Sequence, residues 1–305
     1  MDSVENRRVS QSRFLPILAL IGVTAVWGVT FVQVRDALAL YPLFAFLAVR
    51  FAISTLVLAP FAWSSLRSLP REGVLAGVGV GALLALAYGL QTAGLELTTV
   101  TSTGFITGLY VVFTPLIALA LFGTSVPRAL WVGVALAVAG LLLLNGMPGG
   151  STAGNVLVLG NAVAHSFQIA AMERFAPRYD PRALTFLQMG TSFLCFTVIA
   201  VSVGQVEVPR GATVWGALLV TGVFAGALGY LVATWVQART TAARAALVFM
   251  LEAPFAALFG VLLAEEVLGW PGWVGCVVMM AGILLAEPAA AATLRRAARR
   301  PRQAA

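Results

Sequence analysis

Residues Trp131–Leu144 read WVGVALAVAGLLLL, and residues Trp273–Ala286 read WVGCVVMMAGILLA. Both runs begin Trp-Val-Gly (131–133 and 273–275). Ala-Gly follows (139–140 and 281–282), then a pair of leucines (142–143 and 284–285). The likeness continues upstream at nearly the same spacing. Pro115 is matched by Pro254. Ala85-Leu86 with Tyr88, Thr92, Thr98 and Thr99 is matched by Ala227-Leu228 with Tyr230, Thr234, Thr240 and Thr241. The chain is thus a duplicated unit. In a membrane chain, internal repeats of this kind mark many secondary transporters.

Composition puts the repeat in a membrane. The chain is 60% hydrophobic and 10% charged, with a mean hydropathy of +0.94. A soluble domain has no use for so much apolar surface, whereas a multi-span chain does. All 19 basic residues are arginine. They lie in short gaps between apolar runs, so they read as topology signals and not as a nucleic-acid surface. Cys195 and Cys276 lie inside apolar segments, as small core residues with neither a disulfide framework nor metal-ligand spacing. Arg7, Arg8 and Arg13 before an apolar run resemble a signal peptide. No small-residue cleavage site follows and the run is long enough to span, so it reads as a first transmembrane helix.

Ten apolar segments separate, near 14–34, 41–63, 73–94, 99–122, 127–146, 153–173, 183–203, 212–236, 241–264 and 270–287. Each is long enough to cross roughly 30 Å of hydrocarbon. Turn residues fill the gaps: Tyr41-Pro42, Pro70, Pro127, Pro148-Gly149-Gly150, Asp180-Pro181, Gly211 and Pro271. With the N-terminus inside, the inner gaps and tails hold Arg7, Arg8, Arg13, Arg67, Arg71, Arg128, Arg174, Arg178, Arg182, Arg239, Arg244, Arg295, Arg296, Arg299, Arg300 and Arg302. The outer gaps hold only Arg35 and Arg210. This asymmetry predicts cytoplasmic termini, and the expected location is the plasma membrane.

Five helices per copy is an odd number, so the second copy enters the membrane upside down relative to the first. The predicted fold is all-α and integral to the membrane, ten helices in two inverted five-helix repeats. The predicted organisation is a cytoplasmic tail 1–13, a first repeat 14–146, a linker 147–152, a second repeat 153–287 and an Arg-rich tail 288–305 lying along anionic headgroups. Rocking of inverted halves would give alternating access. Gly73, Gly77 and Gly81, Gly104 and Gly108, and Gly222 and Gly226 read as close-packing seams.

Several strings carry a resemblance to a known family. Trp27-Gly28-Val29-Thr30-Phe31, Val49-Arg50-Phe51, the run Gly104–Pro115 (GFITGLYVVFTP) and Glu252-Ala253-Pro254 resemble the EamA family of the drug/metabolite transporter superfamily, over about residues 15–287 in two copies. The resemblance implies ten helices, cytoplasmic termini and export of small metabolites or drugs, with amino acids among the better-known substrates. It implies no common catalytic residue, and binding positions that differ between members.

Ionisable groups at membrane depth are costly and point to function. Arg50 lies about nine residues, roughly 14 Å, into its segment; Glu252 and His165 lie similarly deep in theirs. Arg50 suits a substrate carboxylate held by bidentate hydrogen bonds, or a structural partner for Glu252 or for helix-end carbonyls. Glu252 suits a proton-coupling acid, a site for a substrate amine, or a buried acid bonded to its neighbours. His165 falls opposite Trp27 at an offset of 138 residues, as Gln168 falls opposite Thr30; it suits a proton carrier or a hydrogen-bond donor. Tyr88, Gln91 and Thr92 share one helix face, which must look into the bundle. Tyr230, Thr234, Trp235, Gln237, Gln188, Thr107 and Tyr110 are candidates to join them. Aromatic rings mixed with amides and hydroxyls suit a small amphipathic solute. One deep arginine is too little for a solute bearing several phosphates. Glu265 and Glu266 read as solvated.

No phosphate loop, zinc spacing or nucleophile elbow is present, so no metal, cofactor or enzymatic activity is expected. Without a nucleotide-binding segment, energy must come from a gradient, or the protein is a facilitator. The expected function is secondary export of small metabolites, amino acids or related zwitterions, with proton coupling as an option. Efflux of lipophilic cations or drugs is the alternative, and a passive channel or membrane enzyme is the alternative from another class. The expected partners are a small-molecule substrate and the lipid bilayer, with no nucleic acid; a monomer and a homodimer fit equally.

Overall fold

The computed structural model describes residues 18–30, 33–34, 36–98, 100–146, 150–263 and 267–286, except the side chains of Val100 and Thr101. Outside this set lie the arginines of both tails, Phe31, Arg35, Thr99, Met147, Pro148, Gly149, Glu265 and Glu266.

The described residues form helices and no strand. In chain order these are α1 (Leu18–Thr30), α2 (Leu43–Arg67), α3 (Arg71–Leu97), α4 (Ser102–Phe122), α5 (Arg128–Asn145), α6 (Thr152–Phe175), α7 (Pro181–Ser202), α8 (Ala212–Gln237), α9 (Ala242–Leu263) and α10 (Trp270–Ala286). The eight from α2 to α9 are long and apolar enough to cross a membrane; α1 and α10 are shorter apolar helices. α2 and α3 outrun their apolar segments at the ends carrying Arg67, Arg71 and Glu72. A helix can continue past hydrocarbon when its last side chains reach water. Outer faces carry exposed Leu56, Phe61, Leu194 and Val198, a surface suited to lipid tails.

Local chemistry sets where helices start. Asp180 caps α7, its carboxylate accepting from the Arg182 N–H at 2.8 Å, with Pro181 in the first turn. Thr241 caps α9 by accepting from the Arg244 N–H. α2 follows Pro42, which offers no side-chain cap. Gln205 Oε1 supplies one from far along the chain, accepting from the Phe44 N–H at 2.9 Å.

Three of the long helices are irregular at mid-span. α4 is interrupted at Leu109, ahead of Pro115, and α9 at Met250 and Leu251, ahead of Pro254. Pro254 has no N–H for the Met250 carbonyl, which accepts instead from the Ala253 N–H at 3.2 Å. α8 is wound as a π-helix over Val220–Gly229, a winding that recurs at functional sites.

Several helix pairings are preserved when the two repeats are exchanged. α5 lies on α10 and α2 on α7, and each pair maps onto itself. α3 on α7 maps onto α8 on α2. The atoms repeat this pattern. Ser54 Oγ of α2 donates to the Gly222 carbonyl of α8 at 2.7 Å. Ser192, 138 residues later, donates from α7 to the Gly81 carbonyl of α3 at 3.2 Å. On the α5–α10 seam, a Cβ on Gly133 would sit 2.8 Å from the Gly282 carbonyl oxygen, and one on Gly140 would sit 2.5 Å from that of Gly275. Gly133 meets the later glycine of α10 and Gly140 the earlier one, so these two helices run antiparallel.

Candidate functional site

A cavity of about 990 Å³ lies among α1, α2, α3, α4, α6, α8 and α9. Its walls hold eleven of the sixteen residues the sequence singled out: Trp27, Thr30, Arg50, Tyr88, Gln91, Thr92, Thr107, Tyr110, His165, Tyr230 and Glu252. The breaks in α4 and α9 fall beside it, since Gly108, Phe249 and Met250 also line it. Irregular backbone at membrane depth is tolerated where it borders a polar cavity.

Arg50 is 6% exposed. Its Nη2 donates to Tyr88 Oη at 3.3 Å. The guanidinium lies 5.0 Å from the Tyr88 ring centre and 5.5 Å from that of Phe51. Aromatic faces attract a cation, here in place of lost water. Its Nε is buried without a hydrogen-bond partner. Tyr88 Oη lies 3.2 Å from Tyr230 Oη, the matching residue of the second repeat. The Trp27 ring packs at a tilt against Tyr230 and Phe249, centres 5.2 Å and 5.3 Å apart. Its Nε1 donates to the Ala225 carbonyl within the π-helical stretch at 3.0 Å. The π-winding thus offers a carbonyl to a neighbouring helix and orients the cavity's tryptophan.

On another wall, Thr107 Oγ1 accepts from Gln91 Nε2 at 3.2 Å and from Asn161 Nδ2 at 2.9 Å. His165 rests against the Tyr110 ring, centres 5.6 Å apart. Thr92 donates to the Tyr88 carbonyl and Thr30 to the Trp27 carbonyl, each steadying its own helix. Glu252 is half-buried at the point where α9 resumes. Among the described residues it makes no hydrogen bond and no ion pair with Arg50. The direct Arg50–Glu252 pair, one of the alternatives raised by the sequence, is not formed.

Gln168, Gln188, Thr234 and Trp235 do not line the cavity. Gln168 Nε2 donates to Gln188 Oε1 at 3.1 Å, and Thr185 donates to Thr234 at 3.1 Å, both in packed interior. Trp235 lies under the Arg239 guanidinium, 4.3 Å away. Gln168 and Thr234 sit about one helical turn beyond His165 and Tyr230, toward the end of the bundle carrying Arg174, Arg178 and Arg239. Gln237, also named from the sequence, is buried there with Nε2 unpartnered.

That Arg-rich end is closed. Glu173 accepts from the Ala242 N–H at the start of α9 at 2.9 Å and from Thr124 Oγ1 at 3.4 Å. Among the described residues the opposite end is open, and the cavity reaches it past Pro42, Glu96, Asn145, Gln205 and Glu207. Sequence reasoning missed Asn161, although it lies four residues before His165 on the same helix face and equally deep. Gln205 and Glu207 belong to a loop folded back onto α2, where Tyr41 Oη donates to the Glu207 carbonyl at 2.6 Å. No periodicity signals such a loop.

Apolar helices around a cavity set with polar side chains, reached from one end and latched at the other, are the make-up of a membrane transport protein. The chain belongs to the EamA-like transporter family, whose model matches residues 14–146 and again residues 152–286. It is a multi-pass membrane protein. An uncharacterized transporter of Archaeoglobus fulgidus is 32% identical over 269 residues, covering 88% of this chain and 84% of that one. A crystal structure of another protein superposes with a TM-score of 0.76 at 17% identity, over 89% of this chain and 96% of that one; at that identity the likeness bears on the fold alone. Family and relative are both transporters, which agrees with the expectation of a non-enzymatic role.

Proposed function

We propose that this protein is a secondary transporter exporting small zwitterionic metabolites, amino acids among them, by alternating access. One observation carries the reading. The cavity holds a buried guanidinium with an unpartnered Nε–H and a carboxylate with no donor, and the two are not joined to each other. Such a site complements a solute carrying one carboxylate and one ammonium group. Arg50 takes the carboxylate and Glu252 the ammonium, while Trp27, Tyr110 and Phe249 contact the apolar part.

Under this reading the chain is ten helices in two inverted repeats, 14–146 and 153–287, joined by 147–152. The antiparallel α5–α10 seam and the duplicated Ser–Gly clasps support it. The Arg-rich end faces the cytoplasm together with the tails 1–13 and 288–305, in the plasma membrane. The cavity then opens outward. The inward-open state arises when the halves exchange conformations. Glu252 and His165 carry the coupling proton.

A second reading, efflux of lipophilic cations, draws on the aromatic rings near Glu252. Counterflow in proteoliposomes with radiolabelled L-amino acids separates these readings. Trans-stimulation by the same amino acid is expected for a carrier; a channel or an enzyme shows none. Arg50→Ala should abolish amino-acid counterflow. Cation efflux predicts instead that Arg50→Ala is neutral or helpful, and that only cations are trans-stimulated.

A further inference from the structure

Tyr88 and Tyr230 hold the same place in the two repeats, and their hydroxyl oxygens lie 3.2 Å apart in the cavity wall. A guanidinium only donates, so Tyr88 Oη accepts from Arg50 Nη2 at 3.3 Å. Each phenol carries one hydrogen, and the gap between the two oxygens accommodates one hydrogen bond. Whichever tyrosine donates across it, one phenolic hydrogen is left over. Neither hydroxyl has another partner among the described residues. Arg50 Nε–H is likewise without an acceptor. Both surplus donors sit in one cluster, where a buried donor without an acceptor is costly.

We propose that Tyr88 and Tyr230 act as one shared donor which, with Arg50 Nε–H, binds the carboxylate of the transported solute. This rests on the zwitterion reading and adds to it a specificity device. The donor belongs to the pair and to neither residue alone. In Tyr230→Phe, Tyr88 still accepts from Arg50 and its own hydrogen is free for the solute. In Tyr88→Phe, the Tyr230 hydrogen is free, and Arg50 loses one acceptor. Only the double variant lacks a phenolic donor. The two positions also come from opposite repeats, so the role of free donor can pass from one tyrosine to the other by rotation of their hydroxyls as the halves exchange conformations, each phenol keeping its own hydrogen and a donor staying available in both states.

The test uses the L-amino acid giving the strongest wild-type counterflow and its decarboxylated amine. KM is measured by counterflow for the amino acid, and binding of both compounds to purified protein is followed by intrinsic fluorescence. Each single variant should raise the amino-acid KM by no more than about threefold. The double variant should raise it roughly tenfold to a hundredfold, the worth of one hydrogen bond to a charged group. Amine binding should stay within about twofold throughout, which also verifies that the double variant folds. Losses in the double variant that merely multiply the single losses, or an equal loss for the amine, overturn the proposal. Should the double variant fail to fold, the wild-type tyrosine Raman doublet, which reports whether a phenol donates, decides. It should shift on adding the amino acid and not the amine; no shift overturns the proposal. A wild-type protein showing no amino-acid counterflow sinks the zwitterion reading and this inference with it. Wild-type counterflow with an unaffected double variant sinks this inference alone.

Discussion

Gly140 of α5 and Gly275 of α10 meet backbone to backbone: a Cβ on either would sit 2.5 Å from the other's carbonyl oxygen. Gly133 and Gly282 meet in the same way at 2.8 Å. Gly275 is the repeat counterpart of Gly133, and Gly282 that of Gly140, so each contact is the image of the other. If the halves exchange conformations in transport, as proposed, a seam that maps onto itself is shared by both states. Gly140→Ala or Gly275→Ala should therefore destabilise the protein by about 1–3 kcal/mol, through overpacking against backbone that cannot rotate away. The solute KM should stay unchanged. Gly79 and Gly216 face open space, and alanine there should raise stability by about 0.4–1 kcal/mol. Thermal unfolding in detergent, paired with counterflow, measures both effects. A Gly140→Ala protein as stable as Gly79→Ala would refute the tight seam.

Glu173 ties α6 to the start of α9 and to Thr124 at the closed end. If that end opens in the transport cycle, these bonds belong to the outward-open state alone. A hydrogen bond to a charged group is worth about 1.5–3 kcal/mol, so losing it should move the ratio of the two states by about tenfold or more. In a chain with Cys195→Ala and Cys276→Ala, Glu173→Ala should speed thiol labelling at Gln168→Cys and slow it at Thr103→Cys. Equal labelling with and without Glu173 would remove it from the latch.

Among the described residues Glu252 stands without a donor or an ion-pair partner, in a cavity whose lining arginine, Arg50, is already engaged by Tyr88. A carboxylate held this way can exchange a proton during the cycle, and an amide of the same shape cannot. In inverted vesicles, Glu252→Gln should abolish the response of uptake to an imposed pH gradient. Counterflow, which needs no net proton movement, should persist at a reduced rate. A variant that still responds to the gradient would leave His165 as the coupling group to test.

Much of this architecture was legible because membrane constraints are blunt. Length and apolarity located the segments, and the repeat register matches Tyr88 with Tyr230, whose hydroxyls lie 3.2 Å apart. Periodicity told which residues share a helix face, which is why Tyr88, Gln91 and Thr92 all reach the cavity. It could not tell how far along the axis the cavity extends. Gln168 and Thr234 lie one turn too far toward the closed end, where Gln168 bonds Gln188 and Thr234 bonds Thr185. Rotation and depth of a helix are set by its neighbours, here through contacts such as Ser54 on Gly222. The π-winding of α8 and the folded-back Gln205 loop follow from the same tertiary packing and leave no local signature.

Asp180, in the loop before α7, binds the Arg182 side chain and N–H and accepts from Ser65 Oγ of α2 at 2.8 Å. The Arg182 side-chain hydrogen bonds, foremost, hold its carboxyl at about 2, below the ordinary 3.8, with the Arg182 N–H and Ser65 adding to them against partial burial. A depressed folded value means that the unfolded chain takes up the proton first as pH falls. The stabilisation is therefore complete well above 3.8, declines as pH drops below it, and is gone once pH passes through about 2. Asp180→Asn removes this ionisation while keeping the side chain's shape. Its unfolding temperature should lie below that of the wild type at pH 6, and the gap should narrow as pH is lowered from 5 to 3. The pair is partly exposed, so the gap should be small and should shrink further in high salt. A gap that is constant across that range would mean that the helix cap and the Ser65 bond, and not the charge on Asp180, hold α7 against α2.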